Sequence, residues 1–199
     1  MSIIAKSIGS KLSPYLSQII PSLSRFAKRL QAEESVDEDN ELSETALSTL
    51  EAIIRKCPLE VSDYIDSLLS ISFDLCTYDP NYVYDEDEDE EMKDEDEEDG
   101  WGGSDFSDDN GAPDDDDDTS WKVRRSAINI VDAIVKTRND KVKDIVQRYS
   151  DKMIDRVKER IDDVKVDILN TFQGIIKASM EVKEISMEMD LHSQTSMVR

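Results

Sequence analysis

The chain has 199 residues, with 47 Asp or Glu against 24 Lys or Arg and a formal charge of −23. That balance argues against nucleic acid as a partner, because phosphate would be repelled, and no apolar run reaches the about 18 residues of a membrane-spanning helix. The single histidine, His192, leaves a catalytic triad without a base and a histidine-based metal site without enough ligands.

Residues 1–32 hold no acid, five bases (Lys6, Lys11, Arg25, Lys28, Arg29) and many serines. An organellar transit peptide has this composition. Against that reading, Pro14 is expected to open a helix with Tyr15, Leu16, Ile19, Ile20, Leu23 and Phe26 at core spacing. Later blocks share the spacing, which a disposable leader has no reason to do. Asp39 and Asn40 are expected to cap the next helix and Pro58 to stop it. A further helix is expected over Leu59–Tyr78. Cys57 and Cys76 lack metal-ligand spacing and read as buried, reduced thiols, with a disulfide or redox role as the alternative.

From Asp79 to Thr119 the chain carries 22 Asp or Glu and one base, Lys93. Nearly all of the net charge therefore belongs to this tract, and the remainder is an almost neutral helical protein. So many carboxylates cannot be packed together without unpaired buried charge, so the tract reads as a long disordered, solvated acidic insert. Glu95, Glu97, Asp99 and Gly100 imitate the first half of an EF-hand loop, but its twelfth position is Phe106 and flanking helices are missing. No metal site, no cofactor and no enzymatic activity are expected, since paired carboxylates in a solvated loop have no pocket to separate their pKa values. The entry, Tyr78-Asp79-Pro80-Asn81-Tyr82-Val83-Tyr84-Asp85, reads either as a packed ledge or as a partner contact, exposed Tyr being a favoured interface residue. Candidate partner-binding residues are Tyr82, Tyr84, Asp85, Asp87, Asp114, Asp115, Asp116, Asp117 and Asp118. Ser104 and Ser107 stand among acids in a context suited to phosphorylation.

After the tract, Ser120 and Asp162 are expected to cap two helices. Trp121 reads as a packing anchor where the chain re-enters the fold, and Lys122 and Arg125 as solvated helix charges facing the acids. Val123, Arg124, Ile128, Asn129, Val131, Ile134, Val135 and Lys136 match Val164, Lys165, Leu169, Asn170, Phe172, Ile175, Ile176 and Lys177 at a constant offset of 41. Leu42, Ala46, Leu47, Leu50, Ile53, Ile54 and Arg55 precede their counterparts by 81, which becomes 40 once the 41-residue tract is removed. Val61, Ile65 and Leu68 likewise precede Val142, Val146 and Tyr149 by 81, predicting equivalent second helices over Leu59–Tyr78 and Asp140–Arg160. Tyr15, Leu16, Ile19, Ile20 and Leu23 line up with Tyr64, Ile65, Leu68, Leu69 and Ser72.

Helix pairs at a period of roughly 40 residues are the mark of a HEAT or armadillo solenoid. The predicted fold is thus all-α: HEAT-type helices over 1–78, the acidic insert over 79–119, HEAT-type helices over 120–179, and a divergent Met-rich tail over 180–199. The pattern fades after Ser179, and the chain reads as a fragment of a longer solenoid.

Three segments resemble the CAND family, the cullin-associated neddylation-dissociated HEAT-repeat proteins. They are Arg55-Lys56-Cys57-Pro58-Leu59-Glu60-Val61; the entry from Tyr78 to Asp85 with the exit Asp118-Thr119-Ser120-Trp121-Lys122-Val123-Arg124-Arg125; and Arg156-Val157-Lys158-Glu159-Arg160-Ile161-Asp162-Asp163-Val164-Lys165-Val166-Asp167. The likeness runs from about Gly9 to Ala178 and is to repeats of the amino-terminal region. It implies a superhelix that wraps an unmodified cullin–RING scaffold and regulates substrate-receptor exchange. The family's carboxy-terminal repeats, to which receptor displacement is attributed, have no counterpart here, so a fragment would be only partly competent. Apart from the resemblance, cysteines that read as reduced and the lack of an Asn-x-Ser/Thr acceptor lead to the expectation of a cytoplasmic or nuclear protein. The alternative reading is an acidic chaperone-like protein shielding basic partners such as histones, and a transport-type HEAT adaptor would differ only in cargo.

Overall fold

The computed structural model describes residues 2–31, 37–79 and 119–197. Every regular element among them is helical: α1 (Ser2–Ile8), α2 (Leu16–Ala27), α3 (Asp37–Lys56), α4 (Ile65–Leu75), α5 (Ser120–Thr137), α6 (Val142–Asp155) and α7 (Asp162–Met197), with short 3-10 turns between them. The tract residues 80–118, and with them all nine candidate partner-binding residues, lie outside the described residues.

The helices form two rows. α1, α3, α5 and α7 pack side by side in succession, while α2 lies on α3, α4 on α5 and α6 on α7. The sequence register explains the stacking. Leu47 and Ile54 of α3 and their counterparts Ile128 and Val135 of α5 are almost wholly buried, because α3 and α5 each have a first-row neighbour on both sides. Val135 faces α7 where Gly174 removes a side chain: a Cβ on Gly174 would stand 3.4 Å from Val135 Cγ1. Such repeat-like packing is that of a HEAT or armadillo-type stack. The second row is joined across repeats by Phe73 of α4 and Tyr149 of α6, whose rings stack with centroids 4.1 Å apart and planes 8° from parallel.

Polar clamps mark each repeat boundary. Ser43 Oγ donates to the Ala27 carbonyl at 3.1 Å. Asp132 of α5 takes Arg55 of α3 at 3.0 Å and Lys136 at 2.9 Å. Arg125 reaches Asp167 and Asp163 of α7 at 2.8 and 3.2 Å. Arg138 donates to the Pro58 carbonyl at 2.9 Å and to Ser62 Oγ at 2.6 Å, and pairs with Asp140 at 2.7 Å. Gly9, at φ 59, supplies the left-handed turn after α1 that a side chain would resist, and its carbonyl accepts from the buried Cys57 thiol at 3.5 Å.

Several local expectations need correction. Pro14 lies inside a 3-10 turn and α2 starts at Leu16. The second helices are shorter than expected, α4 and α6 being preceded by 3-10 turns at Ser62–Tyr64 and Asn139–Lys141. Asp39 and Asn40 sit within the first turn of α3 instead of capping it, and Ser120 and Asp162 are the first helical residues of α5 and α7. Two of these side chains make tertiary contacts: Asp39 pairs with Arg29 at 3.2 Å and Asn40 Nδ2 donates to Thr119 Oγ1 at 3.1 Å. Arg125, read from sequence as a solvated charge facing the tract's acids, pairs with Asp167 and Asp163 of α7, so its guanidinium serves the α5–α7 boundary. α7 remains helical through Met197, well past the point where the apolar pattern fades, because helical backbone persists without a periodic apolar face. Cys57 and Cys76 are free and buried as expected.

Candidate interaction surface at the neck of the acidic tract

The described chain leaves for the tract after Asp79 and returns at Thr119. Both sides of this neck are bound into the stack by one buried arginine. Arg124 occupies the core stripe of α5, one residue from Val123, and only 1 % of it is exposed. Its Nη1 donates to the Tyr78 carbonyl at 3.1 Å and to Ser120 Oγ at 2.9 Å. Its Nε and Nη2 donate to the two carboxylate oxygens of Glu159 at 3.0 and 3.1 Å, the fork geometry that makes arginine the residue for buried carboxylates.

Glu159 is itself 3 % exposed, in the link between α6 and α7. It also accepts from Arg156 and from the backbone N–H groups of Arg160 and Ile161 at 3.1 and 3.2 Å. Burial alone would raise its pKa, but the hydrogen bonds from Arg124 and the Ile161 N–H, with the charges of Arg124 and Arg156, outweigh it and hold the carboxyl below its usual range. The group is therefore a permanent anion at neutral pH. On the other side of the neck, Asn40 Nδ2 donates to Thr119 Oγ1 at 3.1 Å. Trp121 packs half-buried on the core, as expected, with Lys122 Nζ 5.8 Å from its ring centroid.

The neck thus gathers the end of α4, the start of α5, the first turn of α3 and the α6–α7 link at one place. Its chemistry is structural: Arg124 directs donors from all three of its guanidinium nitrogens into the protein. Among the described residues no group of three or more His, Cys, Asp or Glu could hold a metal ion, and no helix is long and apolar enough to cross a membrane. An open groove of about 430 Å³ between the end of α5 and α7 is lined by Lys136, Asn139, Asn170, Gln173, Lys177 and Glu181. Sequence reasoning placed Arg124 in a repeat match and in the exit segment without giving it a buried role, although its place on the apolar stripe of Val123, Ala127, Ile128 and Val131 was a usable signal. Glu159 carried none, since it sits in a link with charged neighbours on both sides.

No protein-family model matches the chain. Curated proteins do. It is 34% identical over 189 residues to cullin-associated NEDD8-dissociated protein 1 of Arabidopsis thaliana, covering 94% of this chain and 14% of that protein. It is 35% identical over 193 residues to the protein of the same name in Dictyostelium discoideum, covering 92% of this chain and 15% of the relative. In Emericella nidulans the match, 33% identical over 168 residues and 71% of this chain, is to a protein named as the C-terminal part of cullin-associated NEDD8-dissociated protein 1. The chain spans about one seventh of the length of these relatives. Over most of its length the chain is similar to one stretch of these cullin-associated NEDD8-dissociated proteins, and it is folded as stacked helical repeats.

Proposed function

We propose that the chain is a non-enzymatic protein-interaction module of cullin–RING ubiquitin ligase assembly. In this reading it binds the unmodified cullin–RING scaffold and contributes to the regulation of substrate-receptor exchange, with partial competence as a stretch of a longer repeat array. The observation that carries the reading is the 34% identity over 94% of the chain to a cullin-associated NEDD8-dissociated protein, supported by the repeat stack. Tyr82, Tyr84, Asp85, Asp87 and Asp114–Asp118 are the proposed contact residues of the tract, and the cytoplasm or nucleus the proposed location. The amino-terminal-region position within the family is likewise a proposal.

The test is capture of a purified cullin–RING complex, with and without NEDD8 on the cullin, by the full chain and by a chain lacking residues 85–118. Binding to the unmodified complex that survives loss of the tract supports a repeat-surface binder. Retention of a basic protein such as histone, lost together with the tract, would instead establish the acidic chaperone-like reading, whose support is the charge of the tract alone. Absence of any cullin–RING capture would overturn the proposal.

A further inference from the structure

Toward the carboxy-terminal ends of α3 and α5, the boundary between these helices is closed by two side chains. Asp132 takes Arg55 at 3.0 Å, and Arg138 donates to the Pro58 carbonyl at 2.9 Å and to Ser62 Oγ at 2.6 Å. One repeat on, at the offset of 41, Gln173 stands for Asp132 and Ser179 for Arg138, while Lys136 stands for Arg55. An amide forms no ion pair with Lys136, and a serine is too short to span to the α5–α6 link. Gly174, next to Gln173, puts no side chain over Val135. The open groove of about 430 Å³ lies at this place. It runs between two packed helices, α5 and α7, and owes its opening to these substitutions.

The wall of the groove on α7 carries Asn170, Gln173 and Lys177, all exposed and about one turn apart, over about 10 Å. Among the described residues no carboxylate pairs with Lys177, and no hydrogen bond engages the side-chain amides of Asn170 and Gln173. The other charges at the groove are in use. Lys136 pairs with Asp132 at 2.9 Å, and Glu181 accepts from Asn139 Nδ2 at 3.2 Å.

From this set of groups we infer that the groove binds a short extended peptide segment of a partner protein, one that carries a carboxylate. Each side-chain amide offers a donor and an acceptor, as a peptide main chain does, and the Lys177 ammonium is the counter-charge for an Asp or Glu side chain. A floor of Val135, Gly174 and Ala178 lets the peptide backbone come close. At about 3.3 Å per residue, the wall matches about three extended residues. The acidic tract joins the stack at the opposite end of α5, about 27 Å away along an 18-residue helix. That is roughly three times the about 8 Å over which charge acts at physiological salt.

The experiment pans a random heptapeptide phage library on the full chain, after depletion on the Gln173→Asp chain. That variant restores the acid of the α3–α5 boundary opposite Lys136, so it is expected to close the groove and to repel a carboxylate. Enriched peptides are expected to share an Asp or Glu at one position. The most enriched one, labelled for fluorescence anisotropy, is expected to bind at least about tenfold more weakly to Lys177→Glu, and about tenfold more weakly to Asn170→Ala with Gln173→Ala. All these positions are exposed, and circular dichroism checks that each variant is folded. A library that enriches nothing, enriched peptides without an acid, or unchanged binding by Lys177→Glu or by the double variant would each overturn the inference. So would a chain lacking residues 85–118 that binds the peptide at least about tenfold more tightly than the full chain, since the tract would then be the occupant.

Discussion

Removing the carboxylate of Glu159 should destabilise the stack far more than its position in a short link suggests. The change Glu159→Ala takes both carboxylate oxygens from Arg124, which is 1% exposed, while the Tyr78 carbonyl and Ser120 Oγ still accept from it. Breaking a buried pair by deleting one partner costs about 3–5 kcal/mol, because the remaining charge is neither paired nor hydrated. Two retained hydrogen bonds place the expected loss near the lower end, about 3 kcal/mol. For a unit of this size each kcal/mol moves the melting temperature by about 2–4 °C, so a drop of about 10 °C is expected in a circular dichroism melt at pH 7. Replacing both partners, as Arg124→Met with Glu159→Leu, removes the stranded charge and should fall within about 2 kcal/mol of the wild type. The pH dependence has a defined sign. Because the folded-state pKa of Glu159 is depressed, its contribution is present above the ordinary glutamate range and is lost as pH falls through the folded value. Wild type and Glu159→Ala should therefore draw together in stability below about pH 4. A single variant within about 1 kcal/mol of wild type at pH 7, or a double variant no better than the single one, would refute the reasoning.

Three further outcomes are expected. Deleting residues 85–118 shortens the loop closed by the neck from 41 residues to seven, which should leave helical circular dichroism unchanged and stabilise by about 1.5 kcal/mol in a urea titration; a large loss of helix would show that the tract is structural. Burial pushes the Cys76 thiol up to about 11 and also raises that of Cys57, so neither should react with iodoacetamide at pH 8 in the folded chain, and both should react in urea, as read by mass spectrometry. If the tract steers a basic cullin–RING surface, Asp114–Asp118 changed to Asn should slow association and flatten its salt dependence, while Tyr82→Ala with Tyr84→Ala should mainly speed dissociation; stopped-flow kinetics in which the Asn variant associates normally would reduce the tract to a spacer.

The repeat was legible because its evidence is periodic. An apolar residue at Leu47, Ile128 or Leu169 is constrained by the same helix-on-helix contact, so a shared offset identifies the contact without any coordinates. Burial was less legible, since register says what a position can pack against and not whether a neighbour is there: Ile128 is covered and Leu169 is half exposed. Helix starts were misplaced at Asp39, Ser120 and Asp162 because a short polar side chain near a helix start serves equally as a cap or as a tertiary partner, and Asp39 took the second role with Arg29. The neck was the least legible feature. Arg124, Tyr78 and Glu159 are far apart in sequence, and the last is one charged residue among several. Only the fold brings them into one hydrogen-bonded group.

The neck also sets how the molecule takes up mechanical load. Tension drawn along the acidic tract reaches the stack at Tyr78 and Thr119. The Tyr78 carbonyl is held by Arg124, and through it by Glu159 in the α6–α7 link, while Thr119 is held by Asn40 of α3. A pull on the tract is thus divided among α3, α5 and the start of α7 before any one helix is peeled from its end. Breaking these bonds together requires more force than breaking them one after another, so the repeats at the neck resist being peeled apart by a pull on the chain at Tyr78 or Thr119.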